Sequence, residues 1–476
     1  MKTKSIIPIV TAITVSLFVS ALAESPKLDV TIQVANPVLL AGQKGTNYVK
    51  VGLTGFERTS ENERSPVNIA LVLDRSGSMS GDKIRYAKDA ARMAVKMLQP
   101  DDIFSLITYE STVEVVVPAT KVSDRATILK AIDSIAADGS TALFGGVSKG
   151  AAEVRKFLSN ERVNSVILLS DGMANVGPQS ASELGDLGKS LVKAGISVNT
   201  LGLGLDYNED LMLRLAEKSD GIHRFIQEPQ QLVAFFQEEF DNVMAVVAQQ
   251  VDITIECAPE IRPVRVLGRE AEIAGQKVHL KLNQIYSKEE KYVLLEVETP
   301  ALAAESVQSV ASVTVQYNNL ASKAKDLQTK QVSCRYSAAA QDVELAVNEP
   351  VLLSCVTQIA TDSNEKAMRL RDLGKVQEAK DELKKNVEFL YFNEARFKDN
   401  KAFGQISGTN MIGRDLIDDD QKWGALRKRM RVEQNYFRNG QSSKTSGDID
   451  KAIEESQKQQ QPSSSVKQKL KLKVRR

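Results

Sequence analysis

The chain is poor in imidazole, thiol and indole: its 476 residues include two histidines, three cysteines and one tryptophan. His223 and His279 alone leave little room for a histidine-rich zinc site or for imidazole catalysis. Three cysteines in so long a chain exclude a disulfide-dense scaffold, and Cys257, Cys334 and Cys355 match no CxxC or zinc-finger spacing. Net charge is nearly absent too. With 62 Lys+Arg against 61 Asp+Glu the formal charge is +1, so no overall field draws in nucleic acid. Beyond the first two dozen residues no apolar run approaches the ~20 residues that a membrane span requires. The hydrophobic fraction of 42% and charged fraction of 26% are ordinary globular usage, and the length predicts several domains, each with its own core.

What is present begins with a leader. Lys2 and Lys4 precede the apolar stretch Ile6 to Val19, and Ala21-Leu22-Ala23 supplies a small-x-small cleavage site, so residues 1–23 read as a secretory signal peptide. Export implies a secreted or periplasmic location and no transmembrane span after cleavage. In such a disulfide-permissive compartment Cys257 with Cys334 is the preferred pairing, because both fall in strand-rich sequence, while Cys355 reads as a buried thiol.

Period-two alternation marks Lys27 to Phe56 as strands with one wet face. Over residues 65–247 short apolar runs alternate with helix-period segments, which predicts an α/β fold: a doubly wound, mostly parallel, Rossmann-like sheet covered by helices on both faces. Alternation returns over residues 248–343, and the strands of residues 24–64, too few to bury a face alone, are expected to join this later set in one β-sandwich domain that the α/β domain interrupts. Residues 344–438 form a C-terminal helical region, read as an antiparallel helix pair broken at Gly374. Residues 439–476 turn to Ser, Gln and Lys and end in a basic run, expected to be a disordered tail that could contact an anionic envelope.

The residues that carry chemistry lie where the predicted parallel strands end, the edge at which open α/β sheets bind ligands. Asp74-Arg75-Ser76-Gly77-Ser78 follows the first run, Thr141 closes Asp138-Gly139-Ser140-Thr141, and Ser170-Asp171-Gly172 follows a later strand. Two carboxylates and three hydroxyls from three loops make a set of hard oxygen donors, suited to Mg²⁺, with Mn²⁺ or Ca²⁺ next. Each residue alone could equally cap a helix. No P-loop, Gly-x-Ser-x-Gly elbow or His-Glu-x-x-His helix occurs, and the only acids beside the ion are committed to it, so no enzyme is expected.

Together these positions resemble the von Willebrand factor type A domain and its metal-ion-dependent adhesion site. The resemblance implies that Ser76, Ser78 and Thr141 ligate the ion directly, that Asp74 and Asp171 mostly hold its waters, and that a partner's carboxylate completes the shell. It also implies that the ion exchanges Asp171 for Thr141 between low- and high-affinity forms. Arg75, Ser80, Tyr109, Phe144, Met173 and Asn175 are expected to rim the site and shape partner choice. The wider layout is broadly similar to secreted bacterial proteins of this superfamily and to inter-alpha-trypsin inhibitor heavy chains, whose carboxyl-terminal attachment motif is absent here. The function expected is an exported, Mg²⁺-dependent, adhesion-type module that captures an acidic residue of a protein or other acidic ligand. The alternative is a subunit of a larger envelope complex, ATPase-associated or channel-like, in which this domain mediates assembly.

Overall fold

A computed structural model describes residues 25–58, 64–394, 397 and 401–439. The expected signal peptide of residues 1–23 and the expected tail after Asn439 lie outside the described residues. The chain opens with strands β1 (Asp29–Val34), β2 (Val38–Leu40) and β3 (Gly45–Thr54). It then builds an α/β unit from β4 (Val67–Asp74), α1 (Asp82–Met97), β5 (Ile103–Tyr109), β6 (Val113–Lys121), α2 (Arg125–Asp133) and α3 (Leu143–Arg155). The unit continues through β7 (Val163–Ser170), α4 (Ala181–Lys193), β8 (Ser197–Leu203), α5 (Glu209–Lys218), β9 (His223–Ile226) and α6 (Leu232–Met244).

Its six strands run in the order β6-β5-β4-β7-β8-β9, all parallel except β6, which hairpins back on β5. Every residue of β4 is buried, because helices cover both faces of the sheet. Ile69, Leu71 and Leu73 point into a core shared with α1, α2 and α6, whereas the alternate Ala70 and Val72 point into one shared with α3, α4 and α5. This two-faced burial explains why the central strands read as continuous apolar runs.

The chain then forms β10 (Val246–Cys257), β11 (Arg262–Leu267), β12 (Glu272–Ala274), β13 (Lys277–Tyr286), β14 (Glu290–Thr299), β15 (Val307–Asn319) and β16 (Ala324–Ser337). These combine with the N-terminal strands in two sheets, β1-β3-β14-β11 and β12-β13-β10-β15-β16-β2, antiparallel apart from the short β16–β2 pair. β3 lies between β1 and β14, with Val51 opposite both Ile32 and Val293. Val49, Val51 and Leu53 share a core with Ile253, Leu280 and Val313 of the other sheet. The first three strands are therefore integral to a core completed some two hundred residues later.

The expected Cys257–Cys334 bridge does not form: all three cysteines are buried free thiols. Cys257 on β10 faces Ala311 of β15, and Cys334 on β16 faces Gln308 of β15, so a whole strand lies between them. Strands two apart are separated by about 9–10 Å, whereas a disulfide needs Cα atoms about 4.4–6.8 Å apart.

After the short α7 (Ala340–Leu345) come four longer helices rather than a single pair: α8 (Glu349–Asp372), α9 (Val376–Glu394), α10 (Lys401–Leu416) and α11 (Asp420–Arg438). Trp423 of α11 packs among Ala367, Met368, Leu383 and Ile417. α8 also sets Val351 and Cys355 against Leu267 and Leu294 of the first sheet. α11 returns to the α/β unit along β9, whose outer edge would otherwise be open. There Asn435 accepts the backbone N–H of His223 at 3.0 Å.

Candidate metal-binding site

β4 and β7 end side by side at the carboxyl edge of the sheet, with Asp74 the last residue of β4 and Asp171 the first after β7. Asp74 is fully buried. Its Oδ1 accepts the backbone N–H of Ser76 at 2.9 Å and its Oδ2 accepts the hydroxyl of Ser170 at 2.8 Å. Burial pushes its carboxyl up to about 6, even though the bonds from Ser76 and Ser170 oppose that rise. A buried acid held at the edge of ionisation is one that a cation would stabilise strongly.

The loop after β4 makes a 3₁₀ turn over Gly77–Met79 with Met79 buried beneath it, which turns Ser76 and Ser78 toward each other. Their hydroxyls are 3.0 Å apart, and Ser78 donates to Asp171 Oδ1 at 2.7 Å. Asp171, also fully buried, receives Lys83 Nζ on Oδ2 at 2.5 Å. Thr141 arrives from the loop before α3. Asn175 holds that loop, its Oδ1 accepting Thr141 N–H at 2.8 Å while its own N–H donates to the Thr141 carbonyl at 3.1 Å. Gly77 N–H donates to the Gly139 carbonyl at 3.0 Å and Asp138 N–H to the Arg75 carbonyl at 2.7 Å, which ties this loop to the Asp-x-Ser-x-Ser turn.

Gly172 shows that Thr141 and Ser78 face one space. A Cβ built on it would lie 3.4 Å from both Ser78 Oγ and Thr141 Oγ1, so the glycine leaves open a cradle between the two hydroxyls and Asp171. The donors facing it are two carboxylates and three hydroxyls, the hard oxygen set that a divalent ion such as Mg²⁺ takes. Among the described residues no group of three or more His, Cys, Asp or Glu side chains that could hold a metal ion is assembled; the cradle itself has two acids and relies on hydroxyls for its other donors.

The expected rim divides. Met173 is 55% exposed and Ser80 is exposed, its hydroxyl donating to the Gly77 carbonyl. Arg75 leans away toward Glu110, at 3.4 Å, and Glu114. Phe144 is half-buried against the α3-side core, and the Asn175 amide is spent on holding Thr141. Tyr109 does not belong to the rim. It is completely buried, its hydroxyl donates to the Leu169 carbonyl at 3.0 Å, and α3 packs so close that a Cβ on Gly146 would fall 2.7 Å from its ring. As the last residue of a central strand it points into the core beneath the loops, not out with them.

Two contributors escaped sequence reasoning. Ser170 orients Asp74 from the end of β7, and Lys83 caps Asp171 from the first turn of α1. The signal for Lys83 was its position: a cation in the first turn of a helix meets the positive end of the helix dipole and wants a nearby carboxylate.

With this geometry in place, residues 68–243 match the family model of the von Willebrand factor type A domain. That stretch is a VWA domain. An uncharacterised protein of Synechocystis, sll0103, is 25% identical over 342 residues, covering 68% of this chain and 80% of that protein. Inter-alpha-trypsin inhibitor heavy chain H2 of Mus musculus is 28% identical over 195 residues, 39% of this chain but only 20% of the heavy chain. Among solved structures, the von Willebrand factor type A protein from Catenulispora acidiphila covers 89% of this chain and 99% of its own, with TM-score 0.67 and 15% identity. That likeness concerns the fold: it extends well beyond the VWA domain, so the added sheets and helices are part of the shared architecture. VWA domains mediate protein–protein interaction, in some cases through a metal ion. Among the described residues no helix is long and apolar enough to cross a membrane.

Proposed function

We propose that this chain is an exported, non-enzymatic binding module whose VWA domain captures an acidic side chain of a partner protein through a divalent ion. The observation that carries this reading is the run of contacts from Ser76 through Ser78 to Asp171, with Thr141 Oγ1 as near to Gly172 as Ser78 Oγ is and Asp74 bonded to the Ser76 N–H. Ser76, Ser78 and Thr141 would hold the ion by their hydroxyl oxygens. Asp74 and Asp171 would balance its charge, Asp74 being held in place by Ser170 and the Ser76 N–H. Mg²⁺ suits a small all-oxygen site with two carboxylates, and Mn²⁺ or Ca²⁺ could replace it. When bound, the ion supplies an electropositive centre that a carboxylate can complete. Exposed Met173 and Ser80 beside it would meet the residues flanking that carboxylate. The leader of residues 1–23 supports export.

The test is a pull-down from envelope and culture fractions with the purified chain in Mg²⁺, in EDTA, and with Asp74→Ala in Mg²⁺. A partner retained only by the wild-type chain with metal supports the reading. Partners indifferent to both changes would move the binding surface away from the VWA domain, and an unfolded Asp74→Ala would show that Asp74 serves the fold instead.

A further inference from the structure

Lys83 stands against a local rule. It is the second residue of α1, where a positive charge faces the positive end of the helix dipole; Arg85 in the same turn is offset by Asp82, and Lys96 sits at the favourable C-terminal end. Its ammonium crosses to Asp171, 88 positions away, and lies 2.5 Å from Oδ2. Asp171 is fully buried and its other oxygen already accepts from Ser78, so Lys83 and Ser78 together engage both oxygens of one of the two carboxylates in the cradle. The Lys83 side chain is 27% exposed, so water and an incoming ion can reach its ammonium, whereas moving it away would leave the buried Asp171 carboxylate without its counter-ion.

We propose that Lys83 is a built-in cation that holds down metal affinity at Asp171 and raises the affinity of the loaded site for a carboxylate. The inference rests on the metal-site reading above and deepens it. The charge count carries the argument. Two carboxylates and one ammonium leave a single negative charge in the empty cradle, which attracts a divalent ion less than two negative charges would. Once loaded, the same groups sum to one positive charge, whereas without Lys83 they sum to zero and offer an incoming carboxylate no surplus attraction. One residue therefore sets both terms, in opposite directions: weaker metal binding, stronger capture of the acidic partner.

The experiment uses the full chain and Mn²⁺ alone as metal probe, with free Mn²⁺ read by electron paramagnetic resonance, followed by acetate titrated into the Mn²⁺-loaded protein and read by water-proton relaxation. Wild type is compared with Lys83→Met, which keeps the stem, Lys83→Gln, which keeps a hydrogen bond to Asp171 without the charge, and Lys83→Arg. A charge within contact of a carboxylate shifts its equilibria by about tenfold or more. Both neutral variants are expected to bind Mn²⁺ about tenfold more tightly and acetate about tenfold more weakly, with Lys83→Arg close to wild type. Unchanged or weaker Mn²⁺ binding in a folded Lys83→Met or Lys83→Gln overturns the inference and leaves Lys83 a structural counter-ion, and unchanged acetate binding overturns its second half. If neither wild type nor either neutral variant binds Mn²⁺, the metal-site reading itself fails.

Discussion

Gly172 and His223 are two residues whose environments make sharp demands. Gly172 has ordinary backbone geometry, and its missing Cβ leaves room between Ser78 and Thr141 at 3.4 Å, a contact that a methyl group can tolerate. Gly172→Ala is therefore expected to leave the melting temperature within about 2 °C of wild type, as for mild surface changes, while weakening Mn²⁺ binding about tenfold. Calorimetric titration beside a thermal melt checks both halves. His223 is fully buried, bonded to Thr200 Oγ1 at 2.9 Å and to Tyr207 Oη at 3.3 Å. Burial, followed by the Lys428 charge, pushes its imidazole down to about 3. In the unfolded chain it protonates near 6.5, so between pH 6.5 and 3 the unfolded state holds the extra proton and stability falls as pH falls, by about 1.4 kcal/mol per unit. Asp74 works the other way in the metal-free chain: its carboxyl is raised to about 6, so acidification through that range favours the folded state. Comparing urea midpoints of wild type and His223→Gln at pH 7 and pH 5 isolates the histidine. The wild type is expected to lose about 2 kcal/mol more than the variant over that interval.

α11 is an amphipathic element whose polar side is its docking face. Arg427 meets Glu209 and, at 2.6 and 2.9 Å, Asp210 and Asp372. Lys428 donates to Glu209 at 2.5 Å and to the Tyr207 carbonyl at 2.7 Å, and Tyr436 meets Arg224 beside the covered edge of β9. Arg427→Ala leaves a half-buried group of carboxylates without a main partner, at an expected cost of about 2 kcal/mol, below the range for fully buried pairs because Asp210 and Asp372 keep contact with water. Hydrogen exchange is expected to quicken in β9 and α11 but not in β4. Equal protection throughout would mean that the ion pairs contribute little to docking. Elements of this kind differ in how far local sequence reveals them. Ile103–Tyr109 and Ser197–Leu203 stand out as mostly apolar runs because helices bury both faces of their sheet. Glu209–Lys218 stands out by its apolar period. β11 and β12 do not stand out, because they are short edge strands, one containing Pro263, and their exposed residues blur the alternation. α11 hid its role because a face of Arg, Lys, Asn and Gln looks solvated until Glu209, Asp210 and Glu217 are placed opposite it.

In the whole molecule, the VWA domain meets the two sheets at Asp220, and Arg269, one of its partners, reaches on to the Arg438 carbonyl of α11. Asp220, at φ +56°, is buried and accepts Lys291 Nζ at 2.9 Å, Arg269 Nη1 at 3.2 Å and the Asn283 N–H at 2.6 Å. The carboxyl is held down at about 2: desolvation would raise it, but the Lys291 and Arg269 charges prevail. Asn tolerates the same left-handed backbone, so Asp220→Asn removes the charge without adding strain. It leaves two buried cations short of their shared anion and is expected to cost about 3–5 kcal/mol, read as a lower urea midpoint. A loss under about 1 kcal/mol would show that water or other acids take over the role.

The sequence by itself determined the α/β class of residues 65–247, most of its strand and helix positions, and the identity of the oxygen donors in the cradle. These follow from short-range rules: an apolar run flanked by helices becomes a buried parallel strand, and polar loop residues after such strands gather at one edge of the sheet. Only the tertiary structure decided that Lys83 reaches Asp171, that Tyr109 points inward, that Cys257 and Cys334 lie a strand too far apart, and that α11 closes the edge of β9. Each of these depends on where two distant segments come to rest, 88 positions apart for Lys83 and Asp171 and 212 for His223 and Asn435. No local periodicity encodes such a meeting, because it is set by the packing of whole elements.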